Sequence, residues 1–158
     1  YKFLVKDNYV QIGKYVIYSR KAGFYKKTRK KSLISALMNI YYTRKKNKLG
    51  QKLNIELQLS EFGRRLKIYH GNIIINGYSK IGNDCELHGN NCIGNKGNNF
   101  PLDGCPVLGN NIELGIGSNI IGKIKIADGV KISSNSLVNK DILEENLIVG
   151  GVPAKKIK

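Results

Sequence analysis

The chain has 158 residues, with 27 Lys/Arg against 11 Asp/Glu, a formal net charge of +16 and 41% hydrophobic residues. That length suits one domain with a short appendage, and no apolar run approaches the roughly 20 residues a membrane span needs. Cys85, Cys92 and Cys105 are an odd number without a CxxC pair; together with the lack of a leader pattern they argue against a disulfide framework or a zinc site and for a cytoplasmic protein.

The first element zone is residues 1–50, with 14 Lys/Arg and a single acid, Asp7, so that +13 of the charge lies there and +3 in residues 51–158. The segment YVIYS (15–19) reads as a short strand, and Gly23 and Gly50 as punctuation. Residues 32–48 read as one helix, with Ser32 as N-cap and Leu33, Leu37, Ile40 and Tyr41 on a shared face. The stretch RKAGFYKKTRKK mixes aromatics with cations, yet no nucleic-acid module signature is present. A solvated basic face and peripheral contact with an anionic membrane both fit it.

From about residue 54 a period of six takes over. Aliphatic residues stand at Ile75, Ile81, Leu87 and Ile93, and again at Leu108, Leu114, Ile120, Ile126, Ile132 and Val138, with Phe62 and Ile68 upstream. Six matches neither a 3.6-residue helix nor one alternating strand; it matches a parallel β-helix with one hexad per side and three sides per coil. The step from Ile68 to Ile75 takes seven residues, and His70, one of two histidines, lies inside it. An inserted residue re-aims neighbouring side chains as a bulge does. With three sides per coil, His70 and His88 should be near neighbours on adjacent coils. Residues 95–107 are too polar and too broken by Gly and Pro to form a side, and should project as a loop.

The hexads, this loop, the segment FGRRLKIYHGNIIINGYSKIGNDCELHGNNCIG and the ending GVPAK together resemble the hexapeptide-repeat acyltransferases, on the serine acetyltransferase branch that includes relatives acetylating sugars of surface polysaccharides. The resemblance covers residues 54–158. It implies a left-handed parallel β-helix, a homotrimer, acetyl-CoA as co-substrate and no metal. By the same resemblance His70 is the general base that deprotonates an acceptor hydroxyl for direct attack on the thioester, and an imidazole suits that task because its pKa lies near working pH. His88 is a second catalytic candidate. The orienting acid of the family maps near Ile55 and Glu56, and Glu56 is the only acid there; a solvent-facing strand residue is its other reading.

Two departures from true serine acetyltransferases bear on the acceptor. Tyr69 stands where an acid precedes the catalytic histidine, and Cys105 stands where a second histidine precedes a proline. Both weaken the case for L-serine, whose ammonium needs a carboxylate; the large helical N-terminal domain of those enzymes is also missing from the sequence. Tyr69 can stack on a sugar ring, and Asp103, the one acid of the loop, could orient the acceptor. For the cofactor, the resemblance implies that Gly115, Gly117, Ser118, Ser133 and Ser134 line the pantetheine groove. Lys131, Lys155 and Lys156 would meet the phosphates of CoA. The expected function is O-acetylation of a saccharide hydroxyl. Serine O-acetylation and a catalytically silent scaffold are the rivals; a zinc hydratase is disfavoured because two histidines fall short of three ligands.

Overall fold

The computed structural model describes residues 7–58, 61–97 and 104–157. It opens with two helices, α1 (Asn8–Thr28) and α2 (Leu33–Leu53). The expected strand at 15–19 lies inside α1. Its residues are helical because Ile12, Tyr15, Ser19 and Ala22 fall three and four apart and bury one face. Ser32 caps α2 as expected, accepting from the Ile34 N–H at 3.2 Å. The helix runs past residue 48, however, through Gly50 to Leu53. Gly50 is a packing glycine rather than a stop, since a Cβ there would lie 2.6 Å from the Ile55 carbonyl oxygen and 2.9 Å from the Tyr15 ring. Among the described residues no helix is long and apolar enough to cross a membrane.

The rest winds into three parallel sheets. The first holds β1 (Ile55–Leu57), β4 (Ile73–Ile75), β7 (Cys92–Gly94), β10 (Asn119–Ile121) and β13 (Leu137–Val138). The second holds β2 (Glu61–Phe62), β5 (Lys80–Ile81), β8 (Val107–Leu108) and β11 (Lys125–Ile126). The third holds β3 (Lys67–Ile68), β6 (Glu86–Leu87), β9 (Glu113–Leu114), β12 (Lys131–Ile132) and β14 (Ile148–Gly150), and β15 (Lys155–Lys156) folds back antiparallel on β14. Each coil therefore visits the three sheets in turn. The hexad aliphatics from Ile68 to Val138 are all buried. Two residues before each lies a second inward position, occupied among others by Ile73, Cys85, Asn91, Ile112, Ser118 and Ser136, as strand alternation requires. Corners turn through left-handed residues, mostly asparagine: Asn72, Asn90, Asn111 and Asn135 have φ between 53° and 57°.

A β-helix leaves open strand edges at its ends, and unpaired edges invite other chains. Here α1 and α2 close the first one. The Leu57 N–H donates to Tyr15 Oη at 2.9 Å, and Lys46 Nζ donates to the Leu57 carbonyl at 3.1 Å. The Arg20 guanidinium donates to the carbonyls of Phe62 and Gly63 and lies 4.5 Å over the Phe62 ring. Burial raises the Tyr15 hydroxyl and lowers the Lys46 ammonium relative to their ordinary pKa values. Tyr15→Phe keeps the packing but strands a buried N–H, which costs about 1–3 kcal/mol. The expected result is a fall of several degrees in the thermal midpoint; an unchanged midpoint would show that the hydroxyl contributes nothing to the cap.

Candidate active site

The irregular step in the hexads is a corner. Between the third and first sheets the chain passes from Ile68 through Tyr69, His70, Gly71 and Asn72. Ile68 pairs with Leu87, 19 residues on, whereas Ile73 pairs with Ile55 and Ile75 with Ile93, each 18 apart. The Asn90 N–H donates to the Gly71 carbonyl, and Asn72 Nδ2 donates to Asn90 Oδ1 at 3.0 Å, so register is already restored there. The extra residue thus falls at Tyr69–His70. It is offset by a side one residue short, Leu57 to Phe62. His70 is exposed at this corner. A Cβ on Gly89 (φ +122°) would come within 2.8 Å of His70 Cβ, so the next coil offers a glycine where the histidine needs room.

His88 lies on the following coil, opposite Tyr69. The ring of Tyr69 packs on His88 at a centroid distance of 4.9 Å, and Tyr69 Oη donates to Glu86 at 2.9 Å. Lys67 also donates to Glu86, at 2.6 Å, and mainly for that reason the Glu86 carboxyl is held below the usual carboxylate range. The bond to Glu86 raises the Tyr69 hydroxyl. On the other side His88 Nε2 lies 3.5 Å from Glu113 Oε1, without hydrogen-bond geometry, and Glu113 Oε2 pairs with Lys131 at 3.1 Å. Register stacks Lys67, Glu86, Glu113 and Lys131 in one column on the outer face of the third sheet. Glu113 was legible in principle, because it holds the same hexad position as Glu86 and Lys131. Asn91 is the other residue the sequence reading passed over. Fully buried, it accepts from the Gly89 N–H and donates to Gly115 O and Ser118 Oγ, fixing the corner beneath both histidines.

The remaining candidates separate. Glu56 lies on the outer face of β1 and accepts from Gln58 Nε2. It lines a cavity of about 560 Å³ between α2 and the first sheet, with Lys46, Asn47, Gln51, Asn72 and Ile74. Cys105 is buried beside Pro106, which removes its thiol from the solvent side of the chain. Asp103 lies outside the described residues. Ser118 is a correction: it is the inward residue two before Ile120, fully buried, and donates to Gly115 O at 2.8 Å instead of facing a groove. Gly115 and Ser133 line one edge of the corner, below His88; backbone bonds link His88 to Leu114, Gly115 to Ile132 and Ser133 to Val149. Gly117 (φ +73°) is demanded by its turn, since a Cβ would meet Asn135 Oδ1 at 2.3 Å. Ser134 is exposed. Lys155 pairs across from Gly150 on β15, and Lys156 is bound to Glu144 at 2.8 Å. Among the described residues no group of three His, Cys, Asp or Glu is placed to hold a metal ion.

No family model matches the chain. Curated relatives do. It is 33% identical over 92 residues to a serine acetyltransferase of Helicobacter pylori (strain ATCC 700392 / 26695), covering 58% of this chain and 53% of that protein. It is 36% identical over 78 residues to the serine acetyltransferase of Buchnera aphidicola subsp. Schizaphis graminum (strain Sg), covering 49% and 30%. It is 48% identical over 59 residues to a chloramphenicol acetyltransferase of Klebsiella aerogenes, covering 37% and 28%. Each match thus spans about half or less of the relative's length. Among solved structures, soybean serine acetyltransferase superposes with a TM-score of 0.75 at 19% identity, over 90% of this chain and 56% of that one. The Brucella abortus strain S19 serine acetyltransferase in complex with coenzyme A does so with 0.74 at 19% identity, over 90% and 54%. The structural likeness shows the fold, a left-handed parallel β-helix preceded by two helices. The sequence matches make the chain similar, over part of its length, to serine acetyltransferases and chloramphenicol acetyltransferase.

Proposed function

We propose that the protein is an acetyl-CoA-dependent O-acetyltransferase in which His70 acts as general base on an acceptor hydroxyl. The observation that carries this reading is the corner itself. The inserted residue exposes His70 at one end of a column of corner residues, Tyr69, His88, Gly115, Ser133 and Gly150, and Gly150 lies beside Lys155. Four coil steps of about 4.8 Å make the column about 19 Å long. An extended pantetheine arm fits along such a track of small residues, with the thioester at the histidines and the phosphates at Lys155 and Lys156. Lys131, tied to Glu113, acts on the His88 side and is a weaker candidate for phosphate. When bound, CoA supplies the activated acetyl group; the chain's own part is to take the hydroxyl proton onto the imidazole of His70 and to hold the acceptor.

For the acceptor we infer a saccharide, with Tyr69 and Asp103 as contacts. The carboxamide-lined cavity at Asn47, Gln51 and Asn72 supports this, because carboxamides both donate and accept, as hydroxyl groups require. Tyr69 lacks the charge to bind an ammonium. A thioester-consumption assay over sugars, with L-serine alongside, decides: turnover with L-serine alone makes the protein a serine O-acetyltransferase, and no turnover or CoA binding at all makes it a scaffold.

The same reading includes a homotrimer with grooves between subunits. Outward-facing Ile74, Val107 and Ile116 are 40–54% exposed in the single chain, which an apolar contact between β-helices would cover. Light scattering at micromolar concentration is expected to give three times the chain mass; a fully active monomer would exclude it. Peripheral contact of the basic N-terminal zone with an anionic membrane belongs to this reading too.

A further inference from the structure

Among the described residues, the face of α2 that the sequence marks as apolar is left exposed, with only Lys45 and Tyr42 of the same helix against Tyr41. Leu33, Ile34, Leu37, Ile40 and Tyr41 are 50–76% exposed. Their spacing puts them on one side of the first two and a half turns. Farther along the same side come Arg44, Lys45 and Lys48, all exposed, and just ahead of the helix come Arg29, Lys30 and Lys31, also exposed. The apolar patch is therefore bracketed by cations at both ends. The single acid of residues 1–50, Asp7, is spent on the N-cap of α1, where it accepts from the Tyr9 N–H at 2.9 Å.

We propose that this face of α2 is a membrane-docking surface for anionic lipid, inserting Leu33, Ile34, Leu37, Ile40 and Tyr41 at the headgroup boundary while the flanking cations meet lipid phosphates. An interfacial helix pairs apolar insertion with a basic rim in this way. Charge decides against a second copy as occupant: a two-fold pairing would set basic clusters against basic clusters with no acid on either helix face. The apolar stripe decides against nucleic acid, which would be met by cations and stacked aromatics. The inference goes beyond a purely electrostatic contact, because it assigns apolar insertion to particular side chains. It rests on the exposed face and its charge, not on the acetyl-transfer reading.

The test is co-sedimentation of the full chain with phosphatidylglycerol-containing and pure phosphatidylcholine vesicles at low and physiological salt. A Leu37→Glu, Ile40→Glu double variant and a Lys30→Gln, Lys31→Gln, Lys45→Gln, Lys48→Gln variant are run beside it. The wild type should bind the anionic vesicles, and the rim variant should bind less at low salt and show a weaker salt dependence, since the screening length is about 8 Å at physiological ionic strength. The insertion variant should lose at least about tenfold in binding while keeping its circular dichroism and its acetyl transfer to a soluble acceptor. Equal binding of wild type and insertion variant overturns the proposal. So does an absence of wild-type binding to anionic vesicles, including the case where the double variant instead changes the particle mass in light scattering and so marks a protein contact. An inactive protein that still docks would refute the acetyl-transfer reading alone.

Discussion

His70→Ala is expected to lower turnover by a factor on the order of 10² to 10⁴, the range typical of a lost general base. That corresponds to about 2.7–5.5 kcal/mol of transition-state stabilisation. Affinity for CoA and subunit assembly should stay near wild type, because His70 is exposed at a corner whose packing is set by Gly89, Asn91 and the asparagine pair Asn72–Asn90. Two companions sharpen the result. Glu56→Gln should cost less than His70→Ala, since the Glu56 carboxylate is bonded to Gln58. His88→Ala and Glu113→Gln test the imidazole–carboxylate pair that the fold does assemble, 3.5 Å apart. If His70→Ala retains full turnover and His88→Ala does not, the base is His88, with Glu113 as its positioning residue. Single-turnover measurements with a saturating acceptor separate a chemical defect from one in binding.

Much of this site could be read in the residues before any coordinates. A six-residue period admits few folds, so Ile68 and Leu87 had to stack, which put His70 and His88 on adjacent coils; the register sets Tyr69 opposite His88. A single seven-residue step in an otherwise regular series stood out for the same reason. What escaped were features that no period announces. Ser118 sits two residues before an inward isoleucine, so strand alternation turns it into the core, although the family resemblance implied a place in the cofactor groove. The segment 15–19 is rich in tyrosine and valine, residues with strand propensity, yet the Ile12–Tyr15–Ser19–Ala22 face packs as a helix and tertiary burial overrides propensity. Glu56 was singled out because it was the only acid in the right window, and the bond it accepts from Gln58 is one that no window of sequence announces. In residues 1–50 the charge and one helix were legible, but not that Tyr15, Arg20 and Lys46 satisfy backbone groups on the first coil, because no period links them to it.

That last point leads to the second large effect, Gly71→Ala. Gly71 follows His70 and lies against the end of α2: a Cβ there would stand 2.1 Å from the carbonyl oxygen of Leu53, and 3.3 Å from its carbon. Both atoms are backbone, so no side-chain rotation relieves the clash. Either the C-terminal turn of α2 moves off the β-helix or the corner carrying His70 moves outward. In the first case Lys46 and Tyr15, which reach Leu57 from the helices, lose their alignment as well. Overpacking of this kind costs typically 1–3 kcal/mol, and loss of two buried hydrogen bonds adds to it. In the second case His70 is displaced from its place beside Gly89, and a shift of about 1 Å at a reacting group can cost on the order of 10² in rate. Thermal unfolding and turnover read together tell the two apart. A lower midpoint with turnover largely kept at low temperature means that the helices gave way; a near-normal midpoint with turnover down about a hundredfold means that the corner did. An alanine variant with wild-type midpoint and wild-type turnover would mean that Gly71 does not touch Leu53 in solution, and that α2 does not rest on the histidine corner.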